Sequence, residues 1–135
     1  MIWPQSGDSV DLLTMDEKLQ GMEVLAKATG THTALCLGVQ GKDTADMLVY
    51  AKHAEKLAPA AMISRPPDSG KTQDDMHQYW RALAAVTKRP VFIQTTGGTA
   101  YKGPSPSVEL MVELAKEFPN FGYVKEEAGN VIARL

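Results

Sequence analysis

A lysine placed at the end of an apolar run is the residue in this chain best suited to covalent chemistry. The run is Asn120-Phe121-Gly122-Tyr123-Val124-Lys125-Glu126-Glu127-Ala128-Gly129-Asn130. Its apolar centre, bounded by Asn-Phe-Gly and Ala-Gly-Asn, reads as a buried strand. Strand alternation sets Phe121, Tyr123 and Lys125 on one face, and Gly122, Val124 and Glu126 on the other. If the Lys125 face is enclosed, desolvation favours the neutral amine. A neutral amine attacks a carbonyl to form a Schiff base. The bland alternative is a lysine standing at the solvent-facing mouth of its strand, where charged side chains ordinarily sit.

The rest of the chain must position that lysine. A chain of 135 residues is expected to form one domain with a respectable core. The formal net charge is −2, without a basic stripe, which disfavours nucleic-acid binding. No apolar run is long enough to cross a bilayer, and Met1-Ile2-Trp3-Pro4-Gln5 lacks the regions of a signal peptide, so no membrane role is expected. The lone Cys36 lies in an apolar run and reads as a buried reduced thiol. A soluble, cytoplasmic protein is expected.

Helices and strands alternate. Thr14-Met15-Asp16-Glu17 is a capping-box pattern opening a helix that buries Leu19, Met22, Leu25 and Ala26 and stops near Gly30. A strand is expected over residues 32–39. Asp43 or Thr44 then caps a helix with Met47, Leu48, Ala51, Ala54 and Leu57 at helical spacing. Residues 60–64 form the next strand, and Thr72 caps a helix through Met76, Tyr79, Trp80, Leu83 and Val86. A third strand covers residues 90–95. Ser105 followed by Pro106 predicts the start of a fourth helix carrying Val108, Met111, Leu114 and Ala115. The strand bearing Lys125 is the fourth.

Strands recurring at roughly thirty-residue intervals, each followed by a helix, predict an α/β fold with a parallel sheet. Two architectures fit: an open doubly wound sheet, or part of a (β/α)₈ TIM barrel, which needs about twice this length.

Four segments together decide between them by resemblance. Val124-Lys125-Glu126-Glu127-Ala128-Gly129-Asn130 is similar to the I-K-E-x-x-G-D run of the dihydrodipicolinate synthase and N-acetylneuraminate lyase superfamily, the pyruvate-dependent class I aldolases. The helix beginning Thr44-Ala45-Asp46, and the strand after it ending Ser64-Arg65-Pro66-Pro67, resemble the family's helix and strand ending in P-P. Leu12-Leu13-Thr14-Met15-Asp16-Glu17 resembles its L-T-x-E-E helix start, and residues 89–93 resemble its fifth strand. The match runs in unbroken order over nearly the whole chain. It implies a partial TIM barrel of four parallel strands with intervening helices, in which residues 1–135 run from the end of the second strand through the sixth and into the next helix. The chain is accordingly expected to be an internal fragment, with two exposed sheet edges.

The resemblance implies that Lys125 is the nucleophile toward the keto group of pyruvate or another 2-keto acid, at the C-terminal ends of the strands where barrel active sites lie. The protonated Schiff base then acts as an electron sink for aldol addition or cleavage. The family's G-T-T-G-E loop, which holds the keto acid's carboxylate, corresponds to residues 4–8, leaving Ser6 and Gly7 as the substrate-binding pair. Gln94 stands where the family carries a proton-relaying tyrosine. An amide can hydrogen-bond an intermediate but is no general acid at neutral pH. The loop after Pro67 has no tyrosine, and residues 97–100 hold no arginine for a second carboxylate. A divergent aldolase or dehydratase is expected rather than a lysine-pathway enzyme, with a homo-oligomer, commonly a tetramer in this superfamily, when complete. The alternatives are a non-catalytic relative that binds a small carboxylate, and a half-barrel without activity of its own.

Other motifs are decoys. Ser69-Gly70-Lys71-Thr72 ends like a phosphate-binding loop, but Arg65 stands where that motif needs its first glycine. The glycines of residues 95–99 lack the dinucleotide-binding spacing, though their backbone amides could line an anion pocket. His32, His53 and His77 have no ligand spacing, so neither a metal nor any other cofactor is expected.

Overall fold

A computed structural model describes residues 1–5, 10–96 and 104–127. Five parallel strands form one sheet: β1 (Ile2–Trp3), β2 (Cys36–Gly38), β3 (Ala61–Ser64), β4 (Val91–Gln94) and β5 (Tyr123–Lys125). Between them run α1 (Met15–Thr29), α2 (Thr44–Lys56), α3 (Gln73–Val86) and α4 (Val108–Glu117). The strands lie side by side in chain order, β1-β2-β3-β4-β5. A doubly wound sheet reverses its strand order part-way, whereas a barrel adds each strand beside the last. The fold is therefore α/β, a partial TIM barrel.

Local patterns predict four strands, and the resemblance adds the end of one more at the start of the chain; five lie among the described residues. The additional one is β1, where Ile2 pairs with Cys36 and Trp3 with Leu37. It is held by backbone bonding, including Cys36 N–H to the Met1 carbonyl at 2.8 Å, and two residues carry no alternation to announce it. The strand expected over residues 32–39 is confined to Cys36–Gly38, because His32 is still engaged in a turn, its N–H bonded to the Thr29 carbonyl at 3.0 Å.

Alternation along the strands sorts the sheet into two faces. Leu37, Met62, Val91 and Ile93 join one core with Met22, Met47, Met76, Trp80, Leu83, Leu110 and Leu114 from the four helices. Cys36, Ala61 and Ile63 cluster with Phe92 on the opposite face. That second face corresponds to the interior of a barrel, and burial there pushes the Cys36 thiol up to about 11.

Local chemistry starts each helix. Thr14 and Glu17 close a reciprocal capping box on α1, Asp43 caps α2, and Thr72 with Asp75 caps α3. Gly30, with φ of +48°, ends α1. The start of α4 differs from expectation: Ser107, not Ser105, is its cap, accepting the Leu110 N–H at 3.1 Å. The cause is a long-range tie. Gln73 on α3 donates from Nε2 to the Ser105 carbonyl and accepts the Ser107 N–H at Oε1, at 3.1 and 2.8 Å, so its amide spans these two residues and the helix begins after them.

Candidate active site

The C-terminal ends of β4 and β5 bring the chemically capable residues together. Gln94 and Lys125 are register partners, and the Phe92 and Tyr123 rings, one pair earlier, lie 5.2 Å apart at their centres. Alternation thus puts Phe92, Gln94, Tyr123 and Lys125 on the interior face, with Ile93 and Val124 on the other. The Thr95 N–H to Lys125 carbonyl bond of 3.0 Å carries the ladder one residue further.

β5 is not the buried strand expected: Tyr123 and Val124 are each 45 % exposed. Among the described residues it pairs with β4 alone, so its far edge lacks a neighbour. Lys125 nevertheless keeps only 33 % of its side-chain surface. Burial holds its ammonium below the ordinary lysine range.

Glu127 joins the two strand ends. Its Oε1 accepts from Lys125 Nζ, and its Oε2 accepts from Gln94 Nε2 at 2.5 Å. The Glu127 backbone N–H donates to Thr95 Oγ1 at 2.6 Å, and that hydroxyl donates onward to Glu126 Oε1 at 2.8 Å. Gln94 and Thr95 are almost wholly buried, so β4 supplies a fixed platform for the chain leaving β5. The result is an amine with lowered proton affinity, a carboxylate in contact with it, and an amide orienting that carboxylate. Such a set can add to a carbonyl and move protons around the adduct.

Of the site residues read from sequence, Lys125 and Gln94 stand together here, whereas Ser6 and Gly7 lie outside the described residues. Glu127 and Thr95 escaped the sequence reading. Alternation carried two places beyond Lys125 would have set Glu127 on the lysine's face. Gln5 was also passed over. It stands just beyond β1, 7 % exposed, and neither polar atom of its side chain has a hydrogen-bond partner among the described residues.

Beyond β3, Arg65 is buried and forked onto Asp11, Nη2 to Oδ1 at 2.7 Å and Nη1 to Oδ2 at 3.2 Å, with Asp68 3.3 Å from Nη2. The guanidinium holds the Asp11 carboxyl below the usual carboxylate range. Tyr79, on α3, accepts the Gly41 N–H at 3.0 Å and the Ser64 hydroxyl at 3.3 Å. These contacts tie the loop after β2 to the end of β3. Ser64 falls on the helix-facing side with Met62, so its contact with Tyr79 lies across the sheet from Lys125.

No protein-family model matches the chain. Two curated relatives align with nearly all of it. The 4-hydroxy-tetrahydrodipicolinate synthase of Bacillus subtilis is 29 % identical over 129 residues, 95 % of this chain and 43 % of that protein. That of Desulforamulus reducens is 28 % identical over 120 residues, 88 % and 40 % of the respective lengths. The chain is similar to the dihydrodipicolinate synthases. It spans about 40 % of the length of the curated relatives it matches. Solved structures of the family superpose closely. YagE of E. coli K12, a prophage protein of the dihydrodipicolinic acid synthase family in complex with pyruvate, gives a TM-score of 0.89 at 17 % identity, covering 98 % of this chain and 44 % of its own. Dihydrodipicolinate synthase from Aquifex aeolicus gives 0.88 at 20 % identity, covering 99 % and 47 %. At those identities the likeness shows the fold.

Proposed function

We infer that this chain supplies the Schiff-base half of a lyase acting on pyruvate or another 2-keto acid, with Lys125 as the nucleophile. The observation carrying this reading is the position of Lys125: the interior face, at the C-terminal end of its strand, where burial favours the neutral amine. Similarity to the dihydrodipicolinate synthases, and the pyruvate bound by the structurally similar YagE, support the choice of substrate class. In this reading β1 to β5 correspond to strands two to six of an eight-stranded barrel, Ser6 and Gly7 hold the keto acid's carboxylate, and Gln94 orients the acid side chain beside the lysine. No helix among the described residues is long and apolar enough to cross a membrane. We place the protein in the cytoplasm, working as a homo-oligomer once its barrel is complete.

The test is reductive trapping. Incubation with pyruvate and borohydride is expected to add one reduced pyruvyl group, mapping to Lys125, and Lys125→Ala should abolish it. An adduct surviving that substitution, or none on the wild-type chain, would overturn the assignment.

A further inference from the structure

Schiff-base chemistry needs protons moved at several atoms, and among the described residues most polar groups near Lys125 cannot move them. Gln94 is an amide, with no proton to give or take at neutral pH. The Thr95 hydroxyl is already shared between the Glu127 N–H and the Glu126 carboxylate. The Tyr79 hydroxyl is committed to Gly41 and Ser64 on the helix-facing side of the sheet. Glu127 differs. One of its oxygens touches Nζ, the other is steered by Gln94, and its backbone is anchored to β4 through Thr95. A general base must lie within hydrogen-bond reach of the proton it takes, and Glu127 meets that condition.

We propose that Glu127 is a second catalytic residue, the general acid and base that shuttles protons between Lys125 Nζ, the departing oxygen and C3 of the bound keto acid. The proposal rests on the Lys125 reading above. Glu127 first accepts a proton from the ammonium, freeing the amine lone pair. That pair forms the N–C2 bond while the carbonyl π pair moves to oxygen, which takes the proton back from Glu127. A second proton then passes from the nitrogen to Glu127 and on to the hydroxyl. The C2–O bond breaks, water leaves with both protons lost by the nitrogen, and the nitrogen lone pair closes the C=N bond. Glu127, a carboxylate again, removes a proton from C3; the C–H pair becomes the C2=C3 bond and the C=N π pair returns to nitrogen, giving the enamine.

Two readouts on the same protein separate this role from that of Lys125. One is the borohydride adduct on Lys125; the other is exchange of the pyruvate methyl protons for deuterium in D₂O, followed by proton NMR. Glu127→Gln is expected to reach the wild-type trapping endpoint while methyl exchange falls on the order of 100-fold, with Glu127→Asp between the two. Exchange within about twofold of wild type in Glu127→Gln, with trapping intact, would overturn the Glu127 role and leave Lys125 standing. Trapping without methyl exchange in the wild type would do the same. Absence of a Lys125 adduct on the wild-type chain would remove both. Should Glu127→Gln fail to unfold cooperatively, wild type against Glu127→Asp decides: equal exchange rates overturn the proposal.

Discussion

Thr95 fixes Glu127 to β4: its hydroxyl oxygen accepts the Glu127 backbone N–H at 2.6 Å, two residues past the end of β5. The same hydroxyl donates to Glu126, so one buried side chain holds both acids that follow Lys125. Thr95→Val keeps the shape and removes both bonds. Losing buried hydrogen bonds of this kind costs about 1–3 kcal/mol, which a shift of the urea unfolding midpoint would register. Thr95→Ser should recover most of that loss. Trapping at Lys125 should slow in the valine variant, because the carboxylate beside the amine is no longer anchored.

The close approach of β1 to β2 leads to a harsher expectation. A methyl group added at Gly38 would lie 2.0 Å from the Pro4 carbonyl oxygen, a backbone atom that no rotamer change can move aside. That carbonyl also accepts from Gln40 Nε2 at 3.1 Å. Gly38→Ala therefore has to displace the chain at Pro4 and Gln5, at a cost of about 1–3 kcal/mol as overpacking or more. Thermal unfolding should show the loss, and a variant as stable as wild type would mean that the two strands can separate freely.

Much of this fold could be read from local residue patterns, since local contacts create it. Thr14, Asp43 and Thr72 each announce a helix through a side chain that bonds within three residues, and all three caps form. The failures share a different cause. Ser105 and Pro106 carry every local sign of a helix start, yet Gln73, more than thirty residues away, binds that segment and α4 starts after Ser107. The short β1 is held by backbone bonds to β2 that no pattern within Ile2–Trp3 encodes. At the candidate site Lys125 is marked in the sequence by its place at a strand end and Gln94 by the resemblance, and the fold makes them register partners. Glu127 is not so marked, because its significance comes from two partners on different strands, Lys125 and Gln94.

Tyr79 offers a test of the scaffold on the helix-facing side. Its buried hydroxyl accepts from the Gly41 N–H and the Ser64 hydroxyl, and burial raises its proton affinity far above that of a free phenol. Tyr79→Phe fills the same space but leaves the Gly41 N–H without its acceptor. The expected cost is about 1–3 kcal/mol in chemical denaturation, with trapping at Lys125 reaching its usual endpoint. Loss of trapping with stability unchanged would contradict the separation of the two sides of the sheet.

The pH dependence of trapping distinguishes an enclosed amine from one at an open strand end. Burial disfavours the charged form, so the Lys125 ammonium should lose its proton below the ordinary lysine value of 10.5. The attacking species is the neutral amine, so the trapping rate should rise with pH and reach half its maximum below that value. Glu127 acts in the opposite direction, since a carboxylate touching Nζ stabilises the ammonium. Glu126 is the neighbouring acid, held by the Thr95 hydroxyl. Glu127→Gln should therefore move the midpoint further down while lowering the maximal rate, because it removes both the stabilising charge and the proton carrier. A wild-type midpoint at or above 10.5 would show that solvent reaches Nζ freely, and a midpoint unmoved in Glu127→Gln would show that the two side chains do not meet in solution.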